Sequence, residues 1–238
     1  MKPKILLTIG ARGGSKGVKN KNIRPLCGVP LIAHTIRQAK RWGQADHIVC
    51  STDSAEIAKI AKKYGAEVPF MRPAALATDQ AGKRGVLRHA LQTMEKLTGE
   101  KFSILVDLDA TAPIRQVRDI DQSLRTFLKK KAKCVFSVTP SRKNPYFNMV
   151  EADGQGWVKL VKKLSRPIVR RQDAPKVYDM NASIYVYDRD FLLDEKINTV
   201  FSSRSAVWVM DEWSAFDIDT EMDFKFIEFL ISKKIVRL

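Results

Sequence analysis

Short apolar runs alternate with amphipathic stretches along the first 140 residues of the chain. The apolar runs predict buried strands at residues 5–9, 47–51, 102–108 and 134–138. Apolar residues at helical spacing predict the intervening helices, at residues 30–42, 57–64, 86–97 and 120–128. Repetition of strand and helix in this order predicts an α/β protein with a mostly parallel sheet and helices on both faces.

The alternation stops after Thr139. Residues 139–180 are polar and irregular apart from a predicted hairpin, whose turn lies at residues 153–156. Beyond this segment, residues 183–187 and 206–210 predict two more strands, and residues 222–230 predict a last helix. We therefore expect an α/β domain formed by residues 1–138 and 181–238, with residues 139–180 inserted. Because the insertion lacks a core of its own, we expect it to pack on a second copy in a homodimer.

Composition narrows the class of partner. A chain of 238 residues with 45% hydrophobic residues suffices for one such domain. The formal net charge of +16 favours an anionic partner, either a nucleic acid or a phosphorylated small molecule. The three cysteines form no Cys-x-x-Cys pair, which favours a reducing cytoplasm over a disulfide framework or a zinc site. We expect no signal peptide, and no apolar run approaches the ~20 residues of a membrane span.

A basic, glycine-rich loop at residues 9–22 joins the first predicted strand to the first long helix. Its glycines allow close approach of a ligand to backbone N–H groups, and its cations favour a polyphosphate. The cations are Arg12, Lys16, Lys19 and Lys21. The spacing matches neither the dinucleotide fingerprint nor the P-loop, so a basic surface loop without a ligand remains the alternative.

Two pairs of aspartates have the i, i+2 spacing that places both carboxylates on one side of an extended segment. Asp217 and Asp219 precede the last helix, where they could share a Mg2+ ion that bridges nucleotide phosphates. The alternative is a helix start enriched in acids, with Thr220 and residues after it as the cap. Asp107 and Asp109 close a strand, where acids suit a metal or sugar hydroxyls, as in nucleotide-sugar glycosyltransferases.

Two adjacent arginines, Arg170 and Arg171, lie in an irregular segment of the predicted insertion. Guanidinium groups pair with carboxylates and phosphates, so an anionic sugar carboxylate would suit them. A solvated basic loop is the alternative.

Five motifs, taken in order, resemble those of the acylneuraminate cytidylyltransferases, the CMP-sialic acid synthetases. They are residues 9–22, Arg72-Pro73 with residues 76–79, Thr111-Ala112-Pro113-Ile114-Arg115, Asn181-Ala182-Ser183-Ile184-Tyr185 and Asp217-Ile218-Asp219-Thr220. The resemblance covers nearly the whole chain. It implies a Rossmann-like α/β domain, a dimerising insertion, CTP and Mg2+. It also implies the reaction, in which the anomeric hydroxyl of an anionic nine-carbon sugar attacks the α-phosphate of CTP and pyrophosphate leaves.

The resemblance also implies roles for individual residues. Arg12 and Lys21 resemble catalytic residues, and Asp217 and Asp219 resemble the metal ligands. The implied nucleotide-binding set is Arg12, Gly13, Ser15, Lys21, Asn22, Arg72, Ala81 and Lys83. The implied acceptor-sugar set is Asp109, Arg170, Arg171, Gln172, Tyr178 and Asn181, partly across the dimer.

Two positions depart from the pattern of the sialic acid enzymes. Asp109 stands where a Gln faces the acceptor sugar, and Lys83 stands where a Ser lies near cytosine. Both resemble the bacterial CMP-N,N'-diacetyllegionaminic acid synthases, which implies diacetyllegionaminic acid as the acceptor. An ionised Asp109 accepts hydrogen bonds but donates none, so it would favour the extra N–H of that sugar.

Three alternatives stay open at this point. The chain could be a CMP-N-acetylneuraminic acid synthetase proper or a glycosyltransferase that uses Asp107-x-Asp109. A nucleic-acid-binding domain would account for the charge, although no helix-turn-helix, zinc-finger or aromatic RNP pattern is present. We expect CTP and the sugar as partners, and neither nucleic acid nor membrane.

Overall fold

The computed structural model describes residues 3–166 and 168–238. The strands are β1 (Ile5–Gly10), β2 (Pro25–Leu26), β3 (Val29–Pro30), β4 (His47–Ser51), β5 (Ile104–Leu108), β6 (Cys134–Pro140), β7 (Val150–Ala152), β8 (Val158–Leu160), β9 (Tyr178–Asp188) and β10 (Ser205–Val209). The helices are α1 (Leu31–Trp42), α2 (Ala55–Tyr64), α3 (Lys83–Thr98), α4 (Val117–Lys130), α5 (Arg189–Leu193) and α6 (Glu221–Ser232). Each strand and helix predicted from the apolar pattern is present, with ends shifted by a few residues.

A six-stranded sheet organises the molecule, in the order β10-β6-β9-β5-β1-β4. Strand β1 pairs in parallel with β4 and β5, and β10 pairs in parallel with β6. Strand β9 is antiparallel to both β5 and β6, because the chain returns through it from the segment that follows β6. The predicted α/β class with a mostly parallel sheet is confirmed.

Alternating side chains of the buried strands serve two cores. In β1, Ile5, Leu7 and Ile9 face a cluster with α1, α2 and α4, whereas Leu6 faces a second cluster with α3 and α5. Helices therefore cover both faces of the sheet, as predicted. Helix α6 packs in a third cluster, which includes Leu26 and Leu31.

The ends of the helices follow local sequence signals. Ser54 caps α2 by accepting a hydrogen bond from the Ile57 N–H, and Gly65 ends the helix in the left-handed conformation. Thr220 and Asp223 form a capping box at the start of α6. The predicted cap of α6 is confirmed.

The hairpin β7–β8 forms a two-stranded sheet of its own, as predicted. The main sheet extends slightly into the segment predicted as an insertion, because Pro140 of β6 pairs with Tyr178 of β9. The division at residues 138 and 181 stays a prediction. In the described part of the chain, no helix combines the length and apolar character needed to cross a bilayer.

Candidate active site

The carboxyl ends of three parallel strands bring polar groups to one edge of the sheet. The basic loop follows β1, Asp53 follows β4, and Asp109 follows β5. Ligands of open α/β sheets bind at this edge. A cavity of about 330 Å3 lies there. Its lining comprises Gly10, Arg12, Arg72, Leu76, Thr78, Asp79, Ala81, Lys83, Val86, Leu87, Asp107 and Asp109.

Backbone hydrogen bonds fix the start of the basic loop. The N–H of Gly13 donates to Asp53 Oδ1 at 2.9 Å, and the buried Asn22 side chain donates to the Arg12 carbonyl at 3.0 Å. A Cβ on Gly13 would lie 3.1 Å from Ser54 Cβ, so glycine permits this close packing. Ser15 lies partly buried between these anchors and Lys16. The loop thus holds a defined course over the cavity.

The two cations at the tip of the loop share one acid. Asp79 accepts from Arg12 Nη1 at 2.6 Å, and its other oxygen pairs with Lys16. Its pKa is lowered, chiefly by the hydrogen bonds from Lys16 and Arg12. Sequence analysis quoted Asp79 only as the last residue of a motif and assigned it no role. A phosphate chain bound by Arg12 and Lys16 would have to replace this carboxylate.

The acidic segment before α6 contacts the same loop. Lys21 donates to the Ile218 carbonyl and lies 3.2 Å from Asp219 Oδ1. A Cβ on Gly17 would overlap the carbonyl oxygen of Asp219, so the two backbones touch. The loop at residues 9–22 and the aspartate pair therefore belong to one site, although they lie some 200 residues apart in sequence.

The Asp217–Asp219 pair has the donor chemistry of a magnesium site. Ile218 between them is fully buried and its N–H donates to the Thr111 carbonyl, so the flanking carboxylates lie on the opposite side. Burial, and then the nearby Asp219, raise the pKa of Asp217. Two adjacent carboxylates that destabilise each other's charge suit a cation. Among the described residues there is no cluster of three or more acidic, His or Cys side chains that could hold a metal ion.

The second aspartate pair already holds a cation from the protein. Lys83 Nζ lies 2.9 Å from Asp107 Oδ2 and 3.3 Å from Asp109 Oδ2. Burial alone would lower the pKa of Lys83, but Asp107 and then Asp109 raise it above its usual range. Burial would likewise raise the pKa of Asp109, yet Lys83 and the Thr111 hydrogen bonds lower it. Lys83 and Asp109 are therefore both charged at neutral pH.

Both carboxylate oxygens of Asp109 already accept hydrogen bonds from this chain. Its Oδ1 accepts from both the N–H and the hydroxyl of Thr111, at 3.0 and 2.9 Å, while Oδ2 faces Lys83. A sugar N–H would have to share these oxygens with Thr111 and Lys83, or displace one of them. The expectation that Asp109 favours an acceptor with an extra N–H stays a prediction.

Arg72 is buried against the end of β4. Its Nε donates to the Ser51 hydroxyl and its Nη2 to the Ser51 carbonyl. A Cβ added to Gly10 would lie 3.3 Å from Nη2, so the guanidinium packs closely on Gly10. Burial lowers its pKa, which Asp53 partly offsets. Both Arg72 and Ala81 line the cavity. Their contact with the nucleoside stays a prediction.

The predicted acceptor residues divide between several places in one chain. Arg171, Gln172 and Tyr178 line another cavity, of about 680 Å3, whereas Asp109 lines the first. Arg170 is paired with Asp173 at 3.0 Å. One protomer therefore does not bring the predicted sugar set together.

Asn181 differs from the rest of the predicted acceptor set because it is buried. Its Oδ1 accepts from the Ser137 hydroxyl at 2.6 Å, and its Nδ2 donates to the Ser214 carbonyl at 3.0 Å. These bonds tie β6, β9 and the segment before the acidic pair. The structure gives Asn181 a supporting role, and a direct sugar contact stays a prediction.

Arg115 is a further supporting residue that sequence analysis quoted only as part of a motif. It is fully buried, and burial lowers its pKa to about 10. Its guanidinium donates to the carbonyls of Ser183 and Asp109 at 2.6 and 3.1 Å, and to Thr35 and Gln38. It thereby fixes the backbone of Asp109 against β9 and α1. A charged residue after a Pro-containing turn carries no sequence signal for such burial.

Comparison with known proteins places this site in a family. The profile of the cytidylyltransferase family matches residues 6–237. The chain is a member of this family. It is an enzyme of the nucleotidyltransferase type, as the motifs predicted.

Relatives of similar length support this assignment. This cytidylyltransferase is 51% identical to the post-translational flagellin modification protein B of Campylobacter coli, over 97% of this chain and 96% of the relative. It is 49% identical to the CMP-N,N'-diacetyllegionaminic acid synthase of Campylobacter jejuni, over the same shares of the two chains.

A solved structure shares the fold. CMP:2-keto-3-deoxy-manno-octonic acid synthetase, in complex with CTP, superposes with a TM-score of 0.70 over 97% of this chain and 99% of the other. The sequence identity is 15%, so this likeness concerns the fold alone. The predicted Rossmann-like architecture is confirmed.

Proposed function

We propose that this cytidylyltransferase activates an anionic nine-carbon sugar of the sialic acid class with CTP, in the presence of Mg2+. The anomeric hydroxyl oxygen forms a bond to the α-phosphorus while the bond to the β-phosphate oxygen breaks. The products are the CMP-sugar and pyrophosphate, and the hydroxyl proton passes to solvent or base. The contact between Lys21 and Asp219 carries the proposal, because it unites the predicted phosphate and metal groups in one site.

In this proposal, different residues of the chain bind the phosphates, stabilise charge and hold the metal ion. Arg12 and Lys16 bind the phosphate chain in place of Asp79, and Lys21 stabilises charge at the α-phosphate. The backbone N–H groups of the glycine-rich loop orient the phosphates. Asp217 and Asp219 hold the Mg2+ ion, which when bound neutralises phosphate charge as a Lewis acid.

N,N'-Diacetyllegionaminic acid is the proposed acceptor. The support is the name of the 49% identical relative over nearly the full length of both chains, together with Lys83 and Asp109, which set this chain apart from the usual sialic acid pattern.

A homodimer in the cytoplasm is the proposed assembly. Apolar side chains of the β7–β8 hairpin are exposed, among them Trp157 at 74% and Val158 at 65%. A second copy would cover them, and would also supply Arg171 and Tyr178 to a site that one chain leaves divided. The free cysteines Cys27, Cys50 and Cys134 suit a reducing compartment.

Two alternative functions, a glycosyltransferase and a nucleic-acid-binding domain, have less support. A glycosyltransferase would use Asp107-x-Asp109 to hold a metal with its nucleotide-sugar, but Lys83 lies between these carboxylates. A nucleic-acid-binding role rested on net charge alone, and the family assignment gives that charge an anionic nucleotide instead.

Release of pyrophosphate tests the proposal directly. We expect release with CTP, and far less with ATP, GTP or UTP, when diacetyllegionaminic acid is supplied. N-acetylneuraminic acid and pseudaminic acid serve as competing acceptors, with lower kcat/KM. Equal kcat/KM for all three acids would refute the acceptor assignment, and release without any sugar acid would refute the reaction.

A further inference from the structure

The two Asp-x-Asp pairs of this chain lie at the same edge of the sheet but differ in how their charge is balanced. Lys83 contacts both members of the Asp107–Asp109 pair, at 2.9 and 3.3 Å. Lys21 contacts Asp219 at 3.2 Å and otherwise donates to the Ile218 carbonyl. Lys83 thus bridges the Asp107–Asp109 pair, whereas Lys21 contacts only one carboxylate of the Asp217–Asp219 pair.

The bridged pair has the geometry of a site for a small cation. Asp107 is 1% exposed, and its Oδ1 accepts from the Thr8 hydroxyl at 2.9 Å, which turns Oδ2 toward Lys83. The two Oδ2 atoms converge on the cavity wall. Carboxylate oxygens that converge in this way bind divalent cations in other enzymes that handle nucleotides.

Lys83 fills that position completely. An ammonium group has three N–H donors. One is donated to Asp109 Oδ2, while Asp107 Oδ2 is an ion-pair partner at 2.9 Å from Nζ. The Tyr185 ring, whose centroid lies 4.4 Å from Nζ, contacts another side of the cation. Lys83 is the first residue of α3, so the helix fixes its backbone while the carboxylates fix its charge.

We propose that Lys83 is a built-in cation that takes the place of a metal ion between Asp107 and Asp109, so that no divalent cation binds there. This inference rests on the proposed function in one respect, the assignment of a Mg2+ ion to Asp217 and Asp219. The consequence is that the chain's own carboxylates hold one exchangeable metal ion, at Asp217 and Asp219. The second positive charge beside the nucleotide cavity is permanent and independent of the Mg2+ concentration.

Binding of Mn2+, followed by electron paramagnetic resonance without any substrate, tests the proposal. We expect one Mn2+ per chain in the unaltered protein. Lys83→Ala leaves two carboxylates facing an open cavity, and we expect it to bind a second Mn2+. Lys83→Ala combined with Asp109→Asn should return to one. Lys83→Arg keeps a cation in place and should also bind one.

Several results would overturn the proposal. One is an unchanged Mn2+ count in folded Lys83→Ala. Because loss of Lys83 leaves Asp107 buried without a partner, that variant could fail to fold. Asp109→Asn alone then decides: an unchanged count supports the proposal, and the loss of one Mn2+ overturns it.

The proposed function fails separately. If Asp219→Asn leaves the Mn2+ count of the unaltered chain intact, the metal site assigned to Asp217 and Asp219 is wrong. A gain of Mn2+ in Lys83→Ala would still support the built-in cation.

Discussion

The cavity edge of the sheet and the β7–β8 hairpin differ in the surface that they expose to solvent. At the cavity, cations meet acids of the same chain: Arg12 meets Asp79, Lys21 meets Asp219, and Lys83 meets Asp107. On the hairpin, Trp157 and Val158 face solvent. Paired charges are stable in water and yield to a ligand of greater charge, whereas exposed apolar groups gain only when another surface covers them.

This contrast separates two kinds of surface. The paired charges of the cavity suit a charged ligand that exchanges in each turnover. The exposed apolar residues of the hairpin suit a lasting partner, for which a second copy is the proposed occupant. Variants at the cavity should therefore alter chemistry in a folded protein, and variants at the hairpin should alter assembly.

The largest effect is expected from the acidic pair. Asp217→Asn or Asp219→Asn should lower turnover by at least about a hundredfold, because loss of a metal ligand removes several kcal/mol of charge stabilisation. Turnover at saturating Mg2+ is the measurement. Asp211→Asn is the matched control, since this acid caps the short helical turn at Glu212–Ala215 and should cost stability with most turnover retained. Near-normal turnover in both pair variants would show that the pair holds no catalytic metal ion.

Lys21→Ala should have the next largest effect on turnover. Its side chain is 13% exposed and lies against the acidic segment, so it is placed to stabilise charge that moves during the reaction. We expect kcat to fall far more than the KM for CTP rises. Lys19→Ala removes a neighbouring exposed cation of the same loop and should have little effect. A change confined to KM would show that Lys21 binds substrate and transition state equally.

The contact between the loop and the acidic segment can be broken without removing any charge. In Gly17→Ala the added Cβ would overlap the Asp219 carbonyl, so the two segments must separate. We expect turnover to fall about tenfold or more, because a displacement near 1 Å suffices for such losses. Gly14→Ala meets open space and should retain turnover. Equal activity of the two variants would show that the contact does not position the site.

The sheet and its helices could be predicted because apolar spacing reports burial directly, residue by residue. The aspartate pair and the basic loop could be predicted because spacing and charge are local features. Their meeting through Gly17 could not, since it depends on backbone contact between segments distant in sequence. The contacts of Lys83 were equally hidden. The family resemblance placed it beside the nucleotide, whereas the structure pairs it with two acids at the end of β5.

Val158→Glu should weaken the proposed dimer. Val158 is largely exposed on the hairpin, so a carboxylate there leaves the protomer folded but places charge in the interface. We expect sedimentation to show a shift from dimer to monomer, with normal circular dichroism and a raised KM for the sugar acid. Lys159→Ala, on the adjacent position of β8, should remain dimeric. A monomeric unaltered protein at the same concentration would refute the assembly.

The smallest effect concerns the support of α3, the helix that presents Lys83. Near its other end, Glu95 accepts two hydrogen bonds from Arg189, at 2.7 and 2.8 Å, and both side chains are largely buried. The hydrogen bond from Arg189 is the main reason that the pKa of Glu95 lies below its usual 4.5. The pair therefore belongs to the scaffold and touches neither the cavity nor the hairpin.

A lowered pKa in the folded state means that this pair stabilises the protein above pH 4.5, and that the stabilisation disappears as the pH falls through the folded-state pKa. Glu95→Gln should accordingly lower Tm at pH 7, by an amount on the order of 2–4 °C for each kcal/mol lost. The difference from the unaltered protein should shrink as the pH falls below the ordinary Glu pKa of 4.5 and through the lowered folded-state pKa. Glu195→Gln removes the same charge from an exposed loop and should show no such trend. If the Tm difference for Glu95→Gln stayed constant across this range, the ion pair would contribute nothing that depends on its charge, and its contribution to holding α3 would be packing alone.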